Sequence, residues 1–220
     1  MATLPIFSES GAEVGKYEID TDQIADRISK QLLHDAVVMY QANLRQGSHN
    51  SRTRGQVAGS KKKMYRQKGT GNARAGGKRT NVRRGGGVAR TIKPRDYSYR
   101  LNKKALRLAT RMAIRSKIDD GEVVVVEKLG FDGPKTKQMA GVLKSLGLEG
   151  TTTLVATAEH EVSVYKSGRN IAGVSVEPVR QLNALSVLKP KRMLFTKEAL
   201  DRIKDGTFAA TEETPAVSVE

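Results

Sequence analysis

The apolar residues of this chain change rhythm several times, and the changes mark its organisation. Leu4–Phe7 and Val14–Ile19 read as short extended pieces around Ser10-Gly11-Ala12, which predicts a hairpin. Thr21-Asp22 offers an N-cap, and Ile24, Ile28, Leu32, Leu33, Ala36, Val37 and Tyr40 follow at helical spacing, predicting one helix that ends near Gly47. From Arg45 to Lys104 neither the strand period nor the helix period is present. The pattern returns at Asn102, where Ala105, Leu108, Ala109, Met112, Ala113 and Ile118 form an apolar stripe opposite bases.

The rest of the chain alternates strand and helix. Asp119-Asp120-Gly121 is a turn, and the four valines Val123–Val126 suit a strand buried on both faces. A helix opens at Pro134, carries Met139, Val142, Leu143 and Leu146, and stops at Gly147. Three more strands are expected at Thr152–Thr157, around Val174 and Val176, and at Arg192–Phe195. Helices are expected at Glu161–Lys166, Leu182–Leu188 and Lys197–Lys204, and the acidic tail 206–220 reads as disordered. The predicted fold class is α/β: a small, mainly parallel four-stranded sheet with helices on both faces. Its body is discontinuous, 1–44 and 105–205, with a long irregular arm over 45–104 inserted in it.

Composition sharpens this picture at one place. The chain of 220 residues has no Cys and no Trp, so thiol chemistry and cysteine-held zinc are excluded. It contains no apolar run long enough to cross a membrane and no secretory leader pattern, so a cytoplasmic protein is expected. The net charge is +16, yet the window 45–104 holds 19 Lys+Arg against a single acid, Asp96, a net of +18; the remainder has 20 bases and 22 acids, a net of −2. So many uncompensated charges repel one another unless a polyanion neutralises them, and the partner class that follows is nucleic acid. A solubilising linker would be richer in Ser, Pro and Glu than in Arg.

The arm also has the chemistry of RNA contact. Lys61, Lys62, Lys63, Lys68, Lys78 and Lys93 supply point charges. Arg45, Arg52, Arg54, Arg66, Arg74, Arg79, Arg83, Arg84, Arg90 and Arg95 supply planar forks that pair phosphates and stack on bases. Lys103, Lys104 and Gln67 extend the candidate set, and Tyr65, Tyr97 and Tyr99 offer stacking faces. Ten glycines between residues 45 and 104 allow the backbone to approach a phosphate chain closely.

Competing chemistry fails on spacing. Gly69-Thr70-Gly71-Asn72-Ala73-Arg74 begins like a dinucleotide fingerprint, but Arg74 takes the place of the third glycine and no strand precedes it. Gly77-Lys78 could close a phosphate loop, but Asn72 and Arg79 occupy its defining positions. His34, His49 and His160 are scattered, with no metal-binding spacing. The sequence predicts neither catalytic residue, cofactor nor metal, and no small-molecule substrate.

The run Lys62-Lys63-Met64-Tyr65-Arg66-Gln67-Lys68-Gly69-Thr70-Gly71-Asn72-Ala73-Arg74-Ala75-Gly76 resembles the signature of the ribosomal protein L4 (uL4) family, K-x-W-R-Q-K-G-T-G-x-A-R-x-G. Arg45-Gln46-Gly47, Arg52-Thr53-Arg54, Gly86-Gly87-Val88, Asn102-Lys103-Lys104 and Pro134-Lys135-Thr136-Lys137 look like the same family, bacterial type. Tyr65, Met64 and Asn72 stand where the family commonly has Trp, Pro and Arg. The resemblance implies a three-layer α/β/α body on the large ribosomal subunit and an arm threaded into its 23S-type rRNA. It further implies that Lys62, Lys63, Met64, Tyr65, Arg66, Gln67, Lys68, Gly69 and Thr70 line the nascent-peptide exit tunnel beside protein L22. An additional regulatory role on an mRNA stays open.

Overall fold

The computed structural model describes residues 2–131 and 133–206. Two strands come first, β1 (Ala2–Phe7) and β2 (Glu13–Ile19), followed by a one-turn helix α1 (Thr21–Ile24) and then α2 (Lys30–Asn43). After the irregular segment come α3 (Lys103–Asp119), β3 (Val123–Val126), α4 (Thr136–Ser145) and β4 (Thr153–Thr157). They are followed by α5 (Val162–Gly168), β5 (Val174–Pro178), α6 (Ala184–Leu188), β6 (Arg192–Thr196) and α7 (Lys197–Lys204). The stretch Val179–Gln181 before α6 is a 3-10 turn. Among the described residues, no helix is long and apolar enough to cross a membrane.

The sheet has six strands rather than the expected four, in the order β2-β1-β3-β6-β4-β5. The difference is the hairpin. β1 pairs with β2 antiparallel, and it also joins the parallel strands through Ile6 opposite Val125 and Phe7 opposite Val126. Leu4 and Ile6 point into the core while their neighbours do not, so β1 has an apolar face that needs covering. The sheet is therefore mixed, with all pairs except β1–β2 parallel.

Alternation along the strands divides the buried side chains into two clusters. Val125, Leu154, Met193 and Phe195 pack with Ala113 and Ile114 of α3, Val187 of α6 and Leu200 of α7. Val126, Val155 and Leu194 pack with Met139 and Leu143 of α4 and Val164 of α5. Each large side chain removed from water here stabilises by roughly 1.5–3 kcal/mol, which is why the central strands are apolar on successive residues.

The predicted helix from Thr21 to Tyr40 is two helices. Asp20 caps α1 by accepting from the Asp22 N–H, and Ala25 is extended (φ −159, ψ 135). Ser29 Oγ then accepts from the Leu32 N–H at 3.4 Å and starts α2. Ile28, placed on the apolar stripe by its spacing, is 38% exposed in the connection. α2 also ends at Asn43, short of Gly47. In the expected helix over Leu182–Leu188, Asn183 is an N-cap in a reciprocal box with Ser186, so only Ala184–Leu188 is α-helical. The expectation of a disordered tail over 206–220 lies, beyond Gly206, outside the described residues.

The chain folds as two compact units. One is built from the residues up to Tyr40 and from Arg100 onward; the other is Gln41–Tyr99. Within the first unit the Leu101 N–H donates to Met39 Sδ at 3.3 Å, so the chain leaves and re-enters that unit at neighbouring points.

Candidate nucleic-acid interface

The unit Gln41–Tyr99 contains no helix beyond the end of α2 and no ladder strand, yet its two halves are tied together at several points. The Tyr99 N–H donates to Asn43 Oδ1 at 3.0 Å, and the Arg95 N–H to Gly47 O at 3.2 Å. Further along, Ser51 N–H donates to Ile92 O at 3.0 Å and Val88 N–H to Arg52 O at 2.9 Å. Lys63 and Gly77 form an isolated antiparallel bridge, with Met64 N–H on Gly76 O at 3.1 Å. The backbone–backbone ties all centre on residues 70–72, so the segment is a two-legged antiparallel ribbon that doubles back there. Gly69 (φ +79) and Gly71 (φ +69) flank Thr70 in the left-handed conformation the turn uses.

Side chains brace the same ribbon. Arg79 Nη1 donates to Gly55 O at 3.2 Å and its Nε donates to Gly59 O, clamping the returning leg to the outgoing one. At the apex Tyr65 O–H donates to Ala73 O and Arg66 Nη2 to Gly69 O at 2.8 Å. Near the open end the guanidinium carbons of Arg45 and Arg95 lie 3.7 and 4.3 Å from the Tyr97 ring centroid. The Tyr97 hydroxyl is also 3.2 Å from His49 Nε2. The ring expected to stack on bases is thus engaged by the protein's own cations.

The sequence-predicted bases are placed as follows. Lys62, Lys63, Arg66, Lys68 and Arg74, with Gln67, are at the apex end; Arg52, Arg54, Lys61, Lys78, Arg79, Arg83, Arg84 and Arg90 lie along the legs; Arg45, Lys93 and Arg95 sit at the open end. All are exposed except Arg79, which is half-buried between the legs. Lys103 and Lys104 are not on the ribbon. They form the first turn of α3, whose cap is Asn102, in the other unit. Sequence reasoning passed over Arg100, also exposed, and over Asn72 and Ala73, which complete the apex; only the centring of the cross-leg bonds reveals the second half of the turn.

The electrostatics are one-sided. Among the described residues, no base of the ribbon is ion-paired with a carboxylate; the pairs that occur involve His34, Arg115, Lys117 and Arg202. Asp96, the ribbon's sole acid, is occupied locally: the Ser98 N–H and hydroxyl donate to it at 2.8 and 2.7 Å and hold its carboxyl below the usual carboxylate range. No group of three or more metal-ligating side chains occurs among the described residues. A cation-dense ribbon with open glycine backbone can take up phosphates and do little else chemically.

The model of the ribosomal protein L4/L1 family matches residues 17–206, across both units. The chain belongs to that family. It is 74% identical over 213 residues to the large ribosomal subunit protein uL4 of Rhodopirellula baltica, covering 97% of this chain and 96% of the relative. It is 42% identical over 205 residues to the protein of the same name from Desulforudis audaxviator, covering 93% and 99%, and 39% identical to that of Symbiobacterium thermophilum. The L4/L1 family is one of ribosomal structural proteins, so this member is not an enzyme. The family match spans the ribbon as well as the α/β unit, so the basic segment is part of the family's body plan.

Proposed function

We propose that this L4/L1-family chain is a structural constituent of the large ribosomal subunit in the cytoplasm, and that its ribbon binds 23S-type rRNA. The observation that carries the reading is the ribbon itself: a cross-braced, two-legged element with many exposed bases, none of them ion-paired with a carboxylate among the described residues. Counterion release on phosphate binding offsets the repulsion and the remaining ordering entropy. The relatives' names, which put those proteins in the large subunit, support the same role.

The apex is the proposed tunnel-facing part. Lys62–Thr70 make up the outgoing half of the turn, and Gly71–Ala73 with Arg74 make up the other half. A neighbouring large-subunit protein such as L22 is the proposed protein contact there, and Lys103 and Lys104 add an rRNA contact from α3. Sedimentation of tagged protein from lysate through a high-salt sucrose gradient tests the reading. One copy per large subunit is the expected result; migration as free protein with no ribosomal pool would overturn it.

A further inference from the structure

Between the legs of the ribbon, away from its apex, lies a cleft of about 390 Å³. Its chemistry comes from Arg54, Ser60 and Lys61 on the outgoing leg and Arg79 and Thr80 on the returning one. Three cations and two hydroxyls line it, and among the described residues no carboxylate does. That volume lies at the small end of the roughly 300–1,000 Å³ typical of ligand clefts. It is too small for a helix and larger than a lone phosphate needs.

The polar groups have defined unused capacity. Arg79 is fixed through Nε and Nη1 on the Gly59 and Gly55 carbonyls, which leaves the Nη2 edge of its fork already oriented. Ser60 Oγ accepts from the Lys62 N–H at 3.1 Å, so its proton is free to be donated. Thr80 Oγ1 donates to Gly77 O at 3.2 Å, so its lone pairs are free to accept. A donor and an acceptor lining one cleft suit a ribose 2′-hydroxyl, which is both. Among the described residues, the side chains of Arg54 and Lys61 have no hydrogen-bond or ion-pair partner, which leaves them available to an anion.

We propose that this recess takes one unstacked RNA nucleotide, with its phosphate on Arg79 and Lys61 and its 2′-hydroxyl between Ser60 and Thr80. The proposal rests on the RNA-binding reading and deepens it, since it makes one point of the ribbon a nucleotide-sized receptor rather than part of a diffuse cationic surface.

The test uses full-length protein and an in vitro transcript of its 23S-type rRNA, with 2′-hydroxyl acylation to read protection. Arg54→Gln/Lys61→Gln removes two recess charges, neither of which braces the ribbon. Arg83→Gln/Arg84→Gln removes the same charge nearby. The recess pair is expected to weaken binding about tenfold more than its control and to restore reactivity at one nucleotide that the control still protects. A 2′-deoxy substitution at that nucleotide should weaken wild type several-fold and Ser60→Ala hardly at all. Equal losses for the two pairs, with all protections fading together, would overturn the recess. Displacement of the RNA by AMP at millimolar concentration would reassign it to free nucleotides. No binding by wild type would overturn the RNA-binding reading itself, and the recess with it.

Discussion

The Arg45 guanidinium lies 3.7 Å from the centroid of the Tyr97 ring, joining the first and last turns of the basic ribbon across more than fifty residues of chain. Arg95 lies over the same ring at 4.3 Å. Two cations that repel each other are held near one another by a common quadrupole, each contact contributing about 0.5–1 kcal/mol at an exposed site. Tyr97→Leu is therefore expected to release both, and trypsin to cleave after Arg45 and Arg95 several-fold faster. Tyr97→Phe keeps the ring and should stay close to wild type. Equal cleavage of all three proteins would remove the ring from the account of the ribbon's order.

Gly47 tests the adjacent rung. It has φ +67 and accepts from the Arg95 N–H, and a Cβ there would lie 2.1 Å from the Arg95 carbonyl oxygen. Gly47→Ala is expected to break that rung and speed hydrogen exchange at Arg95. The α/β unit's urea midpoint should stay unchanged, because the clash is confined to the ribbon. Unaltered exchange at Arg95 would contradict the close approach.

Tyr17 O–H donates to Asp201 Oδ1 at 2.7 Å, linking β2 to α7. Burial first, then the bond to Asp201 and the charges of Asp201 and Asp205, push the phenol above its ordinary range. The folded state thus holds this proton more tightly than the unfolded chain. The resulting stability is fully present below about pH 10 and is lost as pH rises toward the folded value. Tyr17→Phe should cost about 1 kcal/mol at neutral pH, and its difference from wild type should shrink above roughly pH 10 in urea titrations. A difference that holds constant into alkali would rule out this titration.

Lys117, with 9% of its side chain exposed, donates from Nζ to Glu122 Oε2 at 2.5 Å and to Pro190 O at 2.8 Å. It ties the end of α3 to the approach to β3 and to the turn before β6. Lys117→Met keeps the stem and removes the donor, leaving a carbonyl and a carboxylate unpaired; the expected loss is about 1–3 kcal/mol. The urea midpoint should fall with the slope unchanged. An unshifted midpoint would mean that water replaces the ammonium without cost.

Charge should dominate RNA binding. If about half of the ribbon's excess cations meet phosphates, log K is expected to fall with log salt at a slope of about −6 to −8. Filter binding of the full chain to its rRNA transcript over a range of KCl concentrations measures it. A slope shallower than about −3 would mean that few of these bases reach the backbone.

What could be read in the sequence was what side chains encode. The valines of β3, the run TLVAT of β4 and the amphipathic α7 behind its Thr196 cap carry their structure in apolar spacing, and each falls where the spacing puts it. The hairpin's place in the sheet depended on a parallel pairing between Ile6 and Val125, over a hundred residues apart, which no local pattern announces. Helical spacing ran on through Ile28, although Ala25 is extended and Ser29 restarts the helix. The chemistry of the ribbon was legible because charge is compositional. Its geometry was not, since most of its rungs are backbone bonds made by residues such as Gly47, Gly76 and Gly77 that leave no periodic trace.

The common centre of those rungs governs which length changes the chain can absorb. A residue lost from the outgoing leg between Gly47 and Met64 would put every bond on the apex side of the loss out of step with its acceptor, unless the returning leg lost one opposite it. The legs are already unequal at one step: between the Ser51–Ile92 and Arg52–Val88 rungs the outgoing leg advances one residue and the returning leg four. Unmatched length is therefore expected to be absorbed at that step or at Thr70, where no rung remains to be mis-seated.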